Sequence, residues 1–125
     1  MALNILVVDD SSLTRKAIKR IIEMLGLDLG QIFEAESGKE ALKILDETKV
    51  DLVLADLNMP EMGGIEMISH MRDNEAINDI PVVVISTESS TTRIEGLLAN
   101  GAKAYLHKPF TPEEVKEVII QTVGA

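Results

Sequence analysis

Six polar side chains stand at or just past the ends of four short apolar runs in this chain. Asp9 and Asp10 follow the run 5–8 (ILVV), and Asp56 follows 52–55 (LVLA). Ser86 and Thr87 follow 82–85 (VVVI), and Lys108 comes shortly after 104–106 (AYL). Each run has strand length, and in an open parallel sheet ligands bind beyond the carboxyl ends of the strands. Three carboxylates and one ammonium would leave such a rim with a formal excess of two negative charges. Like charges held close together repel and cost stability. One hard divalent cation with oxygen ligands relieves that excess, and Mg²⁺, which keeps several waters and needs few protein ligands, is the natural choice. Lys108 in its charged form is no metal ligand; it suits an anionic oxygen, as does the Ser86 hydroxyl. A cation, an amine and a hydroxyl around one carboxylate make a phosphoryl-transfer site with Asp56 as nucleophile. Plainer readings stand beside this one. Asp56 can open a turn, Asp9 and Asp10 can cap a helix, and Ser86 can be an ordinary strand-end serine.

The intervening segments are what must position these groups. Ser11 and Ser12 can cap a helix in which Leu13, Ala17, Ile18, Ile21, Ile22 and Leu25 recur at helical spacing before Gly26. A weaker strand spans 31–36. Ser37 and Glu40 then form a capping-box pair ahead of a helix that turns Ala41, Leu42 and Leu45 inward. After Asp56, Pro60, Gly63 and Gly64 punctuate a loop, and Ile65, Ile68 and Met71 mark a helix face through about residue 74. The polar stretch 87–92 leads into a helix with Ile94, Leu97 and Leu98 facing in, stopped by Gly101. Thr111, Pro112 and Glu114 supply a cap, a first-turn proline and a capping box for a last helix carrying Val115, Val118, Ile119 and Thr122. Strand and helix alternate five times, with strands apolar enough to be covered on both faces. The fold class expected is α/β, a doubly wound five-stranded parallel sheet with five helices on both faces.

Composition narrows the functions. A chain of 125 residues, 46% hydrophobic and 26% charged, is sized and composed for one globular domain. Aromatics are 2% and the formal charge is −9, so neither base stacking nor phosphate-backbone neutralisation is provided for, and no nucleic-acid partner is expected. Cysteine is absent, which removes disulfides and thiolate metal sites. The opening segment is too short for a signal peptide and no run approaches a membrane span, so a cytoplasmic location and no membrane partner are expected.

At these positions the chain resembles response-regulator receiver domains, closest in pattern to CheY-like single-domain chemotaxis regulators. The resemblance covers essentially the whole length. It rests on the Asp9–Asp10 pair, the DLNMP segment containing Asp56, Ser86 after the fourth strand, and the YLHKPF segment containing Lys108. It implies the flavodoxin-like strand order 2-1-3-4-5, which is carried over from the family. It also implies a single receiver domain over 1–125 with no output domain attached, working as a phospho-acceptor in a two-component system rather than as an enzyme with turnover. Asp56 would accept a phosphoryl group from the phosphohistidine of a sensor histidine kinase. Asp10, Asp56 and the Asn58 carbonyl would hold Mg²⁺ directly, with Asp9 acting through water. Lys108, Ser86 and the Thr87 backbone N–H would bind phosphoryl oxygens, and Lys108–Pro109 would be a cis peptide. Ser86 and Tyr105 would switch the face formed by the fourth helix, fifth strand and fifth helix, where a downstream protein docks. Asn58 and Glu88 would tune how long the acyl phosphate survives.

Three residues depart from the family pattern. Gly63 stands where Asp or Asn is common, Thr87 where Ala or Gly is usual, and His107 where an aliphatic residue is typical. Tyr105 is equally a half-buried core tyrosine or a switch. His70 reads as solvated, neither it nor His107 is assigned to a metal, and Met59 and Met62 flank the loop as a possible contact surface. Two rival functions use the same fold class. A phosphohydrolase of the haloacid-dehalogenase type would want a second acid two residues after the nucleophile, where Asn58 stands. A nucleotide or flavin binder would want glycines after the first strand, where Asp9 and Asp10 stand. A receiver-like domain kept only for structure is disfavoured because no site residue is missing.

Overall fold

Strand and helix alternate without exception in the computed structural model, which describes residues 2–57, 62, 64–87 and 90–124. The order is β1 (Leu3–Val8), α1 (Ser12–Glu23), β2 (Leu29–Ala35), α2 (Gly38–Glu47), β3 (Leu52–Asp56), α3 (Gly64–Arg72), β4 (Val82–Ser86), α4 (Thr91–Ala99), β5 (Ala104–His107) and α5 (Pro112–Val123). The strands form one sheet in the order β2-β1-β3-β4-β5, and every neighbouring pair is parallel. Among the described residues no helix is long and apolar enough to cross a membrane.

The period of two along the strands divides the core into two halves. Leu6, Val8, Val53, Ala55, Val82 and Val84 point to one face and meet Ala41 and Leu45 of α2, Met67, Ile68 and Met71 of α3, and Leu97 of α4. Ile5, Val7, Leu52, Leu54, Val83 and Ile85 point to the other and meet Ile18 and Ile22 of α1 and Val115 and Ile119 of α5. Helices therefore cover both faces, so the central strands carry unbroken apolar runs rather than an alternating pattern. Each Val, Leu, Ile or Met side chain so enclosed contributes about 1.5–3 kcal/mol over leaving it in water.

The helix faces differ from the spacing argument in detail. Leu13 is 78% exposed and Ala17 is also exposed, because α1 buries only the stripe through Ile18 and Ile22. At about 100° per residue Leu13 lies roughly 180° around the helix from Ile22. In α3 the buried stripe is Met67, Ile68 and Met71, leaving Ile65 exposed, and α4 buries Leu97 while Leu98 faces solvent. At the helix starts, Ser11 and Ser37 accept N–H bonds from Thr14 and Glu40, so Ser37 supplies the serine half of its expected box. At α5 both halves are present, with Thr111 and Glu114 each bonding the other's backbone N–H.

Gly38 ties the start of α2 to the segment that follows β3. Its N–H donates to the Met62 carbonyl at 3.1 Å. A Cβ at this position would lie 2.8 Å from Met62 Cγ and 2.9 Å from the Met62 carbonyl oxygen. Met62 is half-buried against the core rather than presented as a contact surface. Gly38→Ala is expected to destabilise the protein by about 1–3 kcal/mol, since a backbone oxygen must move to admit the methyl. The urea midpoint measures this, and an unchanged midpoint would contradict the packing.

Candidate functional site

The strand register brings the polar residues of four strand ends to one level. Val8 is level with Ala55, so Asp9 comes beside Asp56 at the ends of β1 and β3. Asp56 is level with Ile85, which sets Ser86 one step further along β4. Ser86 is level with His107, so Lys108 leaves β5 at the same rim, and its N–H donates to the Ser86 carbonyl at 2.8 Å. The Lys108–Pro109 peptide that follows is cis.

Side chains then close the gap. Carboxylate oxygens of Asp9, Asp10 and Asp56 lie within 4.8 Å of one another. Lys108 Nζ stands 3.6 Å from Asp9 Oδ2 and 3.8 Å from Asp56 Oδ1. Asp9 is buried, at 3% exposure, and its two oxygens are divided between tasks. Oδ1 accepts the Ser11 N–H at 2.9 Å while Oδ2 faces the lysine. Asp9 does not cap α1, a role that Ser11 fills; one of its oxygens orders the turn ahead of the helix and the other stays at the rim. Asp10 is exposed and Asp56 half-buried, so water reaches the acids.

This donor set fits a hard dication. Two oxygens bound to one Mg²⁺ at about 2.1 Å are at most roughly 4.2 Å apart. The acidic trio lies within a small side-chain rotation of that limit, and a single lysine leaves its charge uncompensated. It is the one group of His, Asp or Glu residues so arranged among the described residues. His70 is exposed on α3, 3.9 Å from Glu66, and His107 is exposed with its ring 6.4 Å from that of Tyr105.

Ser86 is buried and Thr87 exposed at the end of β4. Tyr105 is half-buried on β5, packed against the core, and its hydroxyl donates to the Ser86 carbonyl at 3.0 Å. That carbonyl is therefore shared by the Tyr105 hydroxyl and the Lys108 N–H, which links both residues to the strand end carrying the serine. Asn58, Met59, Pro60, Gly63 and Glu88 lie outside the described residues.

Two residues at the rim were not singled out from the sequence. Arg15 of α1 donates through Nη1 to the Asp9 carbonyl and through Nε to Glu34 Oε1, the latter at 3.1 Å. A basic residue among four on α1 carries no signal of this contact, because the sheet alone decides that Glu34 and Asp9 come together.

Comparison with known proteins agrees with this geometry. The family model described as "Response regulator receiver domain" matches residues 5–120. The chain is 37% identical over 123 residues to a chemotaxis protein CheY homolog of Campylobacter jejuni, covering 98% of this chain and 93% of that protein. It is 38% identical over 125 residues to chemotaxis protein CheY1 of Helicobacter pylori, covering 98% of each. The solved structure of Vibrio cholerae CheY4 superposes with a TM-score of 0.87 at 28% identity, covering 98% of this chain and 99% of that one. With a family match over nearly the whole chain, relatives of this similarity and a sheet in the order that the resemblance implied, the chain belongs to the response regulator receiver domain family.

Proposed function

We propose that Asp56 is the phospho-acceptor of a two-component pathway, taking its phosphoryl group from the phosphohistidine of a sensor kinase. The observation that carries this reading is the Lys108 ammonium held between Asp9 and Asp56, with Asp10 alongside, at the carboxyl edge of the sheet. An Asp56 carboxylate oxygen attacks phosphorus while the P–N bond to imidazole breaks. The bonding pair leaves with the ring nitrogen, and an acyl phosphate remains on Asp56. Lys108 moves from its carboxylate partners to a phosphoryl oxygen, and the Ser86 hydroxyl and Thr87 N–H donate to the others. A bound Mg²⁺, held by Asp10, Asp56 and the Asn58 carbonyl with Asp9 acting through water, would supply the positive charge that lets a dianion approach these acids.

Phosphorylation changes the rim by about one further negative charge. Ser86 carries both a hydroxyl for the phosphate and a carbonyl held by Tyr105, so movement of that strand end reaches β5 directly. The downstream partner is accordingly a protein that reads the α4–β5–α5 face, while Asn58 and Glu88 set the phosphate lifetime. The phosphohydrolase alternative is weaker because Leu57 and Asn58 follow Asp56, and an amide does not serve as the general acid.

Incubation with acetyl phosphate and Mg²⁺, followed by intact-protein mass measurement, tests the reading. One phosphoryl group is expected on the wild type and none on Asp56→Asn or after magnesium is chelated. Modification of the Asp56→Asn protein, or sustained turnover of a phosphate ester, would overturn it.

A further inference from the structure

The Asp9 N–H donates to the Ala35 carbonyl at 3.0 Å, just where β2 ends. Beyond that point β2 offers the acid pair no further residue in strand, yet Asp9 is almost wholly buried and its peptide bond to Asp10 leads into the rim. Arg15 fills this place. Its guanidinium donates to the Asp9 carbonyl and, through a second edge, to Glu34 on β2. The Arg15 side chain is only 14% exposed and that of Glu34 32%.

We infer that Arg15, oriented by Glu34, is a positioning residue for the cation site, an inference that rests on the receiver reading. The Asp9 carbonyl and the Asp10 N–H belong to one planar peptide unit, so holding the carbonyl fixes the direction in which the Asp10 side chain leaves the backbone. The planar fork of the arginine makes this possible, because a carboxylate on one edge sets the angle of the other. A lysine ammonium has no such fork. Glu34 has a second consequence: the Arg15–Glu34 pair is formally neutral, so the guanidinium orders the backbone without adding a cation that would compete with a dication for Asp9 and Asp10. An exposed ion pair alone would matter little. The contact with the backbone of the acid pair is what gives this one a role.

Titration calorimetry with MgCl₂ on the full chain tests the inference, alongside the rate of phosphorylation by acetyl phosphate as a function of Mg²⁺. Arg15→Gln is expected to raise the Mg²⁺ Kd about 10-fold, the scale found when groups supporting metal ligands are removed. The rate at saturating Mg²⁺ is expected to stay near wild type, because the ligands and Lys108 remain. Arg15→Lys, which keeps the charge and alkyl stem, is expected to weaken binding too, and it carries the test if Arg15→Gln does not fold. Glu34→Gln, which can still accept from Nε, is expected to lose less than Arg15→Gln. Arg20→Ala, an exposed cation on the same helix, is expected to bind as wild type. A folded Arg15 variant with lowered thermal stability but the wild-type Kd would overturn the inference alone, reducing the pair to a structural contact. A wild-type protein that binds no Mg²⁺ would overturn the receiver reading and this inference together.

Discussion

Lys108→Ala is expected to push cation binding and phosphoryl acceptance in opposite directions. The ammonium stands 3.6 Å and 3.8 Å from carboxylate oxygens of Asp9 and Asp56 and occupies part of the space a dication would neutralise. Removing it takes one positive charge away from the three carboxylates, so Mg²⁺ is expected to bind more tightly and to raise Tm by more than in wild type. The same change removes the one amine that can follow charge onto the phosphoryl oxygens. Loss of a single such stabilising group costs about 10²–10³ in rate, and acyl phosphate formation from acetyl phosphate is expected to fall by that factor. Calorimetry and phosphorylation kinetics on one preparation give both numbers. Weaker Mg²⁺ binding with unimpaired phosphorylation would show that the lysine serves the acids and not the phosphate.

The second large effect belongs to the scaffold. Leu54 lies in the middle of β3 with no exposed surface, in the core half closed by α1 and α5. Leu54→Ala is expected to cost about 2–5 kcal/mol, and at roughly 4 °C per kcal/mol for a domain of this size to lower Tm by about 8–20 °C. Leu13→Ala removes the same atoms from a side chain that is 78% exposed and is expected to change stability by no more than about 0.5 kcal/mol. Thermal and urea unfolding of the two variants checks the contrast. Equal losses would mean that α1 is seated differently on the sheet.

That pair of leucines also shows where sequence reasoning is strong. The strands were legible because a central strand of a parallel sheet is enclosed on both sides, and an apolar run such as 82–85 has few other places to go. Helix faces were less legible. Leu13, Ala17, Ile65 and Leu98 all satisfy some i, i+3 or i, i+4 spacing, but a helix lying on a sheet buries a narrower stripe than every such spacing allows. At the site, Asp9, Asp10, Asp56, Ser86 and Lys108 could be chosen because each ends or follows a strand, and parallel strands in register must bring such ends together. Their division of labour was not legible. That Asp9 gives one oxygen to Ser11 and turns the other to Lys108 depends on rotamers set by neighbours distant in sequence.

The order of residue types along the chain by itself determined a covered parallel sheet and a rim carrying more acid than base, because apolar runs and the charges that end them are local properties. Only the tertiary structure decided that the Ser86 carbonyl is shared by Tyr105 and Lys108, and that Arg15 reaches across to Glu34 and the Asp9 carbonyl. Three of those four contacts join residues 19 or more positions apart. They exist because strand pairing places the ends of separate elements within hydrogen-bonding reach, a distance that no local periodicity encodes.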